Sequence, residues 1–154
     1  MNLSFFVSGT PIPKGSTRSF VINGRAVTTN ANRNTKDWQL RIAHEAQANI
    51  GDWPPNYGGA VIINCSFLMP RPKTLKKSII HHTKRPDLDK LQRAVLDGIT
   101  GILIKDDSQV IQITARKYYA DDPEPTGLYI EISSIGFEQV LNTHHRISIV
   151  IGRP

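Results

Sequence analysis

The chain is expected to fold as α+β (α/β), a single domain with a mixed, mostly antiparallel sheet and two main helices. Three observations carry that expectation. Short β-branched and aromatic runs open and follow the helical stretches, two segments place apolar residues at helical spacing, and 154 residues suit one domain rather than two. Leu3 to Ser8 reads as the first strand. Gly9-Thr10-Pro11-Ile12-Pro13-Lys14-Gly15 breaks it, because proline lacks the N–H that a central strand needs. Ser19 to Ile22 and Arg25 to Thr28 flank Asn23-Gly24, a hairpin-turn signal, since both residues tolerate positive φ. Thr35 to Ile50 reads as a helix: Trp38, Ile42, Ala43, Ala46 and Ile50 share one stripe, and Asn34 or Thr35 is placed to cap it. After a Pro- and Gly-rich loop, Ala60 to Met69 is a strand, and Pro70 to Pro86 is irregular and basic. Leu88, Leu91, Val95 and Ile99 predict an amphipathic helix from about Asp89 to Thr100, ended by Gly101. Gln109 to Tyr119 and Gly127 to Ser134 alternate as strands around the turn Asp121 to Pro125, and Ile147 to Ile151 forms one more in the tail.

Apolar residues make up 39% and charged residues 21%, enough for one packed core, which excludes intrinsic disorder. Lys and Arg number 19 against 13 Asp and Glu, a formal charge of +6 that points to a polyanionic partner, nucleic acid before membrane. Cys65 is alone, so neither a disulfide nor a cysteine-based zinc site can close, and its place in an apolar run makes it a buried small hydrophobe. Met1 to Phe6 lacks the basic start of a signal peptide, and no apolar segment approaches the roughly 20 residues of a spanning helix. A soluble, reduced, cytoplasmic protein without membrane contact is expected.

The charges are segregated. From Trp53 to Pro86 there is no acidic residue, while Arg71, Lys73, Lys76, Lys77, Lys84 and Arg85 fall in that span. Asp87, Asp89, Asp97, Asp106 and Asp107 follow directly. A basic loop running into carboxylates suits an enzyme that acts on nucleic acid, the cations holding phosphates and the carboxylates a metal. With Lys14 and Arg18, the six basic residues of the loop are candidate DNA contacts, and together they predict affinity that falls with salt. His81 and His82 read as loop histidines near DNA rather than metal ligands.

In Pro86-Asp87-Leu88-Asp89, an extended backbone at Asp87 puts both carboxylates on one side at the mouth of the helix, with Leu88 turned inward. Inside a helix, residues two apart diverge by about 160°. Mg²⁺ prefers carboxylate oxygens and keeps several waters, so two or three aspartates suffice. Arg93 lies one turn beyond Asp89, placed for a scissile phosphate or for an ordinary i,i+4 ion pair, with Asp97 one turn further. Asp106 and Asp107 supply a third carboxylate if the next strand lies beside the helix mouth.

Lys84-Arg85-Pro86-Asp87-Leu88-Asp89, then Leu91, Arg93 and Ala94-Val95-Leu96-Asp97-Gly98, then Lys105-Asp106-Asp107-Ser108-Gln109-Val110 closely resemble the RusA family of Holliday junction resolvases. The segment Gly9 to Gly15 and Lys117-Tyr118-Tyr119 are similar to further motifs of that family. The resemblance covers roughly Ser4 to Ile132 of a single domain spanning 1–154, and leaves 133–154 as an extension of unassigned role. It implies a homodimer of phage or prophage type. It also implies Mg²⁺-dependent, paired and symmetric cleavage of DNA four-way junctions in recombination and repair, leaving 5′-phosphates and 3′-hydroxyls. Residue by residue, it makes Asp87, Asp89 and Asp107 the metal ligands and, with Arg93, the catalytic set. Arg93 stands where the family usually has lysine, and Lys90 where it has asparagine. Arginine keeps the charge but gives up the role of proton donor, and its planar fork favours bidentate phosphate contact. Two other readings share the fold: a junction-binding protein with weak or no catalysis, and a metal-dependent nuclease for other branched DNA.

Overall fold

A computed structural model describes residues 1–15, 17–30 and 34–135, with only the backbone described for 17–20 and 26–30. The predicted strand at Ile147 to Ile151 lies outside the described residues. Strands β1 (Asn2–Ser8), β4 (Val61–Met69), β5 (Val110–Tyr119) and β6 (Gly127–Ser134) form one sheet in the order β1-β6-β4-β5. β6 is antiparallel to both neighbours, whereas β4 and β5 run parallel, from Val61 beside Val110 to Met69 beside Tyr119. A parallel pair needs a crossover, and helix α2 (Leu88–Ile99) supplies it. The sheet is therefore mixed and mostly antiparallel, as expected.

Strands β2 (Thr17–Ile22) and β3 (Arg25–Asn30) make a separate two-stranded hairpin. Asn23 and Gly24 have φ of 50° and 74°, the left-handed pair a tight two-residue turn requires.

Helix α1 (Thr35–Ala48) and α2 cover one face of the sheet. Along β4 the core face carries Val61, Ile63, Cys65, Phe67 and Met69, all buried, matched by Leu128, Ile130 and Ile132 of β6 and by Phe5 and Val7 of β1. Burial pushes the Cys65 thiol up to about 12, so it packs as a hydrophobe and is no nucleophile at neutral pH. Leu91, Ala94, Val95 and Ile99 of α2 meet Trp38, Ile42 and Ala46 of α1 within that core. The helices approach closely at Gly98, where an added Cβ would stand 2.9 Å from the Ile42 side chain.

Two local expectations are corrected. α1 stops at Ala48 rather than Ile50, and its N-cap residue Asn34 makes no capping hydrogen bond with its side chain. The buried Thr35 does not cap either: its hydroxyl donates to the carbonyl of Pro13 at 2.9 Å and ties the first loop to α1.

Candidate functional site

The basic loop delivers the chain to α2 in an extended conformation. The Arg85–Pro86 peptide is cis, and Asp87 is the N-cap with φ −69° and ψ 142°. Leu88 packs against the core, while Asp87 and Asp89 stand exposed at the helix mouth, the disposition that Pro86-Asp87-Leu88-Asp89 predicted. Lys90 reaches back to Asp87, Nζ to carboxylate oxygen 3.0 Å. That hydrogen bond, with the Lys90 charge, holds the Asp87 carboxyl below its ordinary range. Lys90 thus serves Asp87 and not its sequence neighbour Asp89.

Lys117 near the end of β5 fixes the approach. Its Nζ donates to the carbonyls of Lys84 at 2.8 Å and Pro86 at 2.7 Å, so it pins the backbone immediately before Asp87. Lys117 belongs to the Lys117-Tyr118-Tyr119 motif, from which no site role for it follows. In the sequence it shows only as a lysine late in an alternating strand, and the loop it meets is decided by the fold. The same loop pairs with the strand through His82 N to Lys117 O at 3.1 Å and Tyr119 N to Ile80 O at 2.8 Å. His81 and His82 lie against Tyr118 and Tyr119, ring centroids 5.6 and 4.7 Å apart. Burial first, then the Lys117 charge, push the His82 imidazole below its ordinary range, so it is neutral at pH 7.

The first loop forms the opposite wall. Lys14 N donates to Lys90 O at 2.9 Å, and Lys14 Nζ pairs with Asp97 at 2.7 Å. Between this loop and the α2 mouth lies a cleft of ≈ 500 Å³, whose lining includes Thr10, Pro11, Pro13, Met69, Pro86 and Asp87.

The expected cations divide. Lys73, Lys76, Lys77, Lys84 and Arg85 are exposed on the basic loop, and Arg93 is exposed and forms no ion pair among the described residues. Lys14 is engaged by Asp97. Arg71 is a correction: its Nε pairs with Asp121 at 2.7 Å, its Nη1 donates to Lys76 O and Ile79 O, and it lies 5.2 Å over the Tyr119 ring. With its side chain 12% exposed, that guanidinium holds the loop together instead of meeting phosphate. The Arg18 side chain lies outside the described residues. Asp97 partners Lys14 and Gln39 (2.7 Å each), and not Arg93.

At the other end of α2, the doublet splits. Asp106 caps a short 3₁₀ turn, its Oδ1 accepting from Ser108 N at 2.9 Å, and the Ser108 hydroxyl first, then that N–H, hold its carboxyl below the ordinary range. Gln109 Oε1 accepts from the N–H groups of Lys105 and Asp106, and its Nε2 donates to Tyr57 O and Gly59 O at 2.8 Å each. Asp-x-x-Gln spacing is a capping-box signature, and it was the unread signal for Gln109. Both carboxylates of the pair are exposed, but Asp106 is engaged as a cap and Asp107 is not.

Asp107 does not reach Asp87 and Asp89 within one chain. Parallel pairing of β4 with β5 makes the crossover helix run back along the strands. β5 therefore starts where α2 ends, and the twelve residues of α2 separate the two places by about 18 Å. Among the described residues, no three His, Cys, Asp or Glu side chains are grouped to hold a metal ion.

A sequence model of the family described as Endodeoxyribonuclease RusA matches residues 8–133. The chain is also similar to the Uncharacterized protein YqaN of Bacillus subtilis (strain 168), 24% identical over 146 residues, which are 86% of this chain and 98% of that protein. Among the described residues, no helix is long and apolar enough to cross a membrane.

Proposed function

This chain belongs to the RusA family of endodeoxyribonucleases, and from that premise we propose that it resolves four-way DNA junctions by Mg²⁺-dependent, paired phosphodiester hydrolysis. One observation carries the reading: Asp87 and Asp89 stand exposed together at the mouth of α2, directly after a loop whose exposed cations are Lys73, Lys76, Lys77, Lys84 and Arg85. A carboxylate pair beside a phosphate-binding surface is what strand cleavage requires.

The donors suit a hard cation, being oxygen ligands open to solvent, with Asp87 kept ionised by Lys90. Asp87 and Asp89 would hold Mg²⁺, which when bound neutralises charge on the scissile phosphate and lowers the pKa of an attacking water. The loop cations seat the sugar-phosphate backbone. Lys117 holds Lys84 and Pro86 in place, so the loop and the carboxylates keep a set spacing. Arg93, one turn along α2 from Asp89, offers a planar fork to phosphate oxygens.

The test uses an end-labelled synthetic four-way junction and a linear duplex, each with and without Mg²⁺, beside the Asp89→Asn variant. Paired nicks confined to the junction, to Mg²⁺ and to protein retaining Asp89 are expected. Asp89→Asn cutting at the wild-type rate would sink the site assignment. Tight binding without nicks would make the protein a junction-binding module, and Arg93→Lys would then be the variant expected to cut. Binding affinity should also fall steeply with added NaCl, and a flat response would remove the phosphate-contact assignment.

A further inference from the structure

We propose that Ile79 and Ile80 form an apolar wedge that enters the parted base stack at the branch point of a DNA junction, and so separates junctions from linear duplex. The inference deepens the junction reading above and rests on it.

Ile79 and Ile80 are 44% and 49% exposed, two large apolar side chains in succession on the loop that carries the exposed cations. One exposed isoleucine would say little. Here the backbone under the pair is braced. Arg71 Nη1 donates to the carbonyls of Lys76 at 3.1 Å and Ile79 at 2.9 Å, across the turn in which Ile79 N donates to Lys76 O at 3.1 Å. Tyr119 N donates to Ile80 O at 2.8 Å and His82 N to Lys117 O at 3.1 Å, with His81 opposite Tyr118 in an antiparallel bridge. A braced apolar tip has little freedom left to lose on binding, which is what a wedge needs.

The same bridge sets where the tip sits. His81 lies against Tyr118, so Ile80 and His82 fall on the other side of the chain, the side of Tyr119 and Lys117. That side is the helix-covered face of the sheet, because Lys117 and Tyr119 stand beside the buried Phe67 and Met69 of β4. Lys117 on this face reaches Pro86 O, next to Asp87, at 2.7 Å. Ile80 is two residues from His82, about 7 Å along an extended chain. The tip is thus on the same face as the carboxylates, where one DNA strand can meet both.

Charge names the occupant. Trp53 to Pro86 holds no acidic residue, and the exposed cations Lys76, Lys77, Lys84 and Arg85 flank the pair on both sides in the chain. Asp121, the acid that meets this loop, is paired with Arg71 at 2.7 Å. An apolar tip among cations suits a polyanion that carries apolar surface between its charges, and stacked bases between phosphates are such a surface. In continuous duplex a wedge must break a stack. At a branch point the arms already part, and the same wedge enters at lower cost. The pair therefore adds at the junction what the cations do not, since cations read any backbone.

The test places 2-aminopurine, whose fluorescence rises on unstacking, beside the branch point of a four-way junction and in the middle of a linear duplex. Each is saturated with protein in Ca²⁺ instead of Mg²⁺, with strand integrity checked on a denaturing gel. Wild-type protein should raise the signal several-fold at the branch and leave the duplex signal unchanged. The double variant Ile79→Ser, Ile80→Ser should keep its circular dichroism spectrum, because exposed side chains can change without unfolding the chain. It should lose the rise and bind the junction about 10-fold more weakly, while binding linear duplex as before. Ile79→Leu with Ile80→Leu should restore the rise, since a wedge needs apolar bulk rather than one shape. A double-serine variant with the wild-type rise and the wild-type preference for junctions would overturn the wedge. A double-serine variant that sediments as a smaller species than the wild type would also overturn it, by assigning the pair to contact between copies of the chain. A wild type that opens the branch but cuts nothing in Mg²⁺ would overturn the metal reading and leave the wedge standing. A wild type that cuts junctions without any rise would overturn the wedge alone, and equal affinity for junction and duplex would overturn both.

Discussion

At the start of α2, Asp87 and Asp89 stand in the open beside a surface of exposed lysines and arginines, and two further lysines set the geometry at Asp87. Lys90 steadies the Asp87 carboxylate, and Lys117 steadies the backbone before it. At the end of the same helix the chain is bound tightly to itself. Gln109 joins the Lys105 and Asp106 amides to the Tyr57 and Gly59 carbonyls, and Asp106 caps the turn. One end leaves two carboxylates, Asp87 and Asp89, open to solvent, and at the other Asp106 is taken up as a cap while Asp107 beside it is not. The difference shows two ways of positioning an aspartate: at a helix mouth by a lysine one turn on and a second lysine from β5 that pins the preceding backbone, and at a strand start by local capping.

The largest expected effect separates the two members of the doublet. Asp89→Asn and Asp107→Asn should each lower junction cleavage by about 10³-fold, the scale of losing one stabilising group at a reacting centre. Asp106→Asn should lose far less, because its role is capping. Equal losses at Asp106 and Asp107, measured in single-turnover cleavage, would break the distinction drawn between them.

Next in size is Lys117→Met, expected to weaken Mn²⁺ affinity and cleavage by about 10-fold while leaving junction binding intact, because outer groups that orient ligands contribute on that scale. Lys117→Arg should recover part of the loss. A variant that binds Mn²⁺ normally would show that the pinned loop does not position Asp87.

The mount at the other end is tested by stability. Gln109→Ala removes partners from the Tyr57 and Gly59 carbonyls and should cost about 1–3 kcal/mol in urea unfolding. An unchanged midpoint would mean that water replaces the amide at no cost.

The smallest effect concerns protonation. Lys90 keeps Asp87 ionised to lower pH than an ordinary aspartate, so the negative charge is present above the ordinary range and is lost as pH falls through the lowered value. Lys90→Asn should move the acidic limb of the cleavage profile toward higher pH and leave the rate near pH 8 little changed. An acidic limb that stays in place would show that another group controls it.

The local features were legible because each is written in neighbouring residues. Asn23-Gly24 supplies two positive-φ residues and so makes the hairpin. The spacing of Leu88, Leu91, Val95 and Ile99 makes α2, and Pro86-Asp87-Leu88-Asp89 turns Leu88 in and both aspartates out. The apolar run around Cys65 buries its thiol. The sequence by itself thus determined the elements, the helix mouth and the carboxylates that occupy it. Only the tertiary structure decided that Arg71 is held by Asp121 and Tyr119, that Lys117 reaches Pro86, and that Asp107 lies a helix length from Asp87. These depend on which strands pair and in which direction. Parallel pairing of β4 with β5 joins residues some fifty positions apart, and no periodicity within either strand specifies that partner.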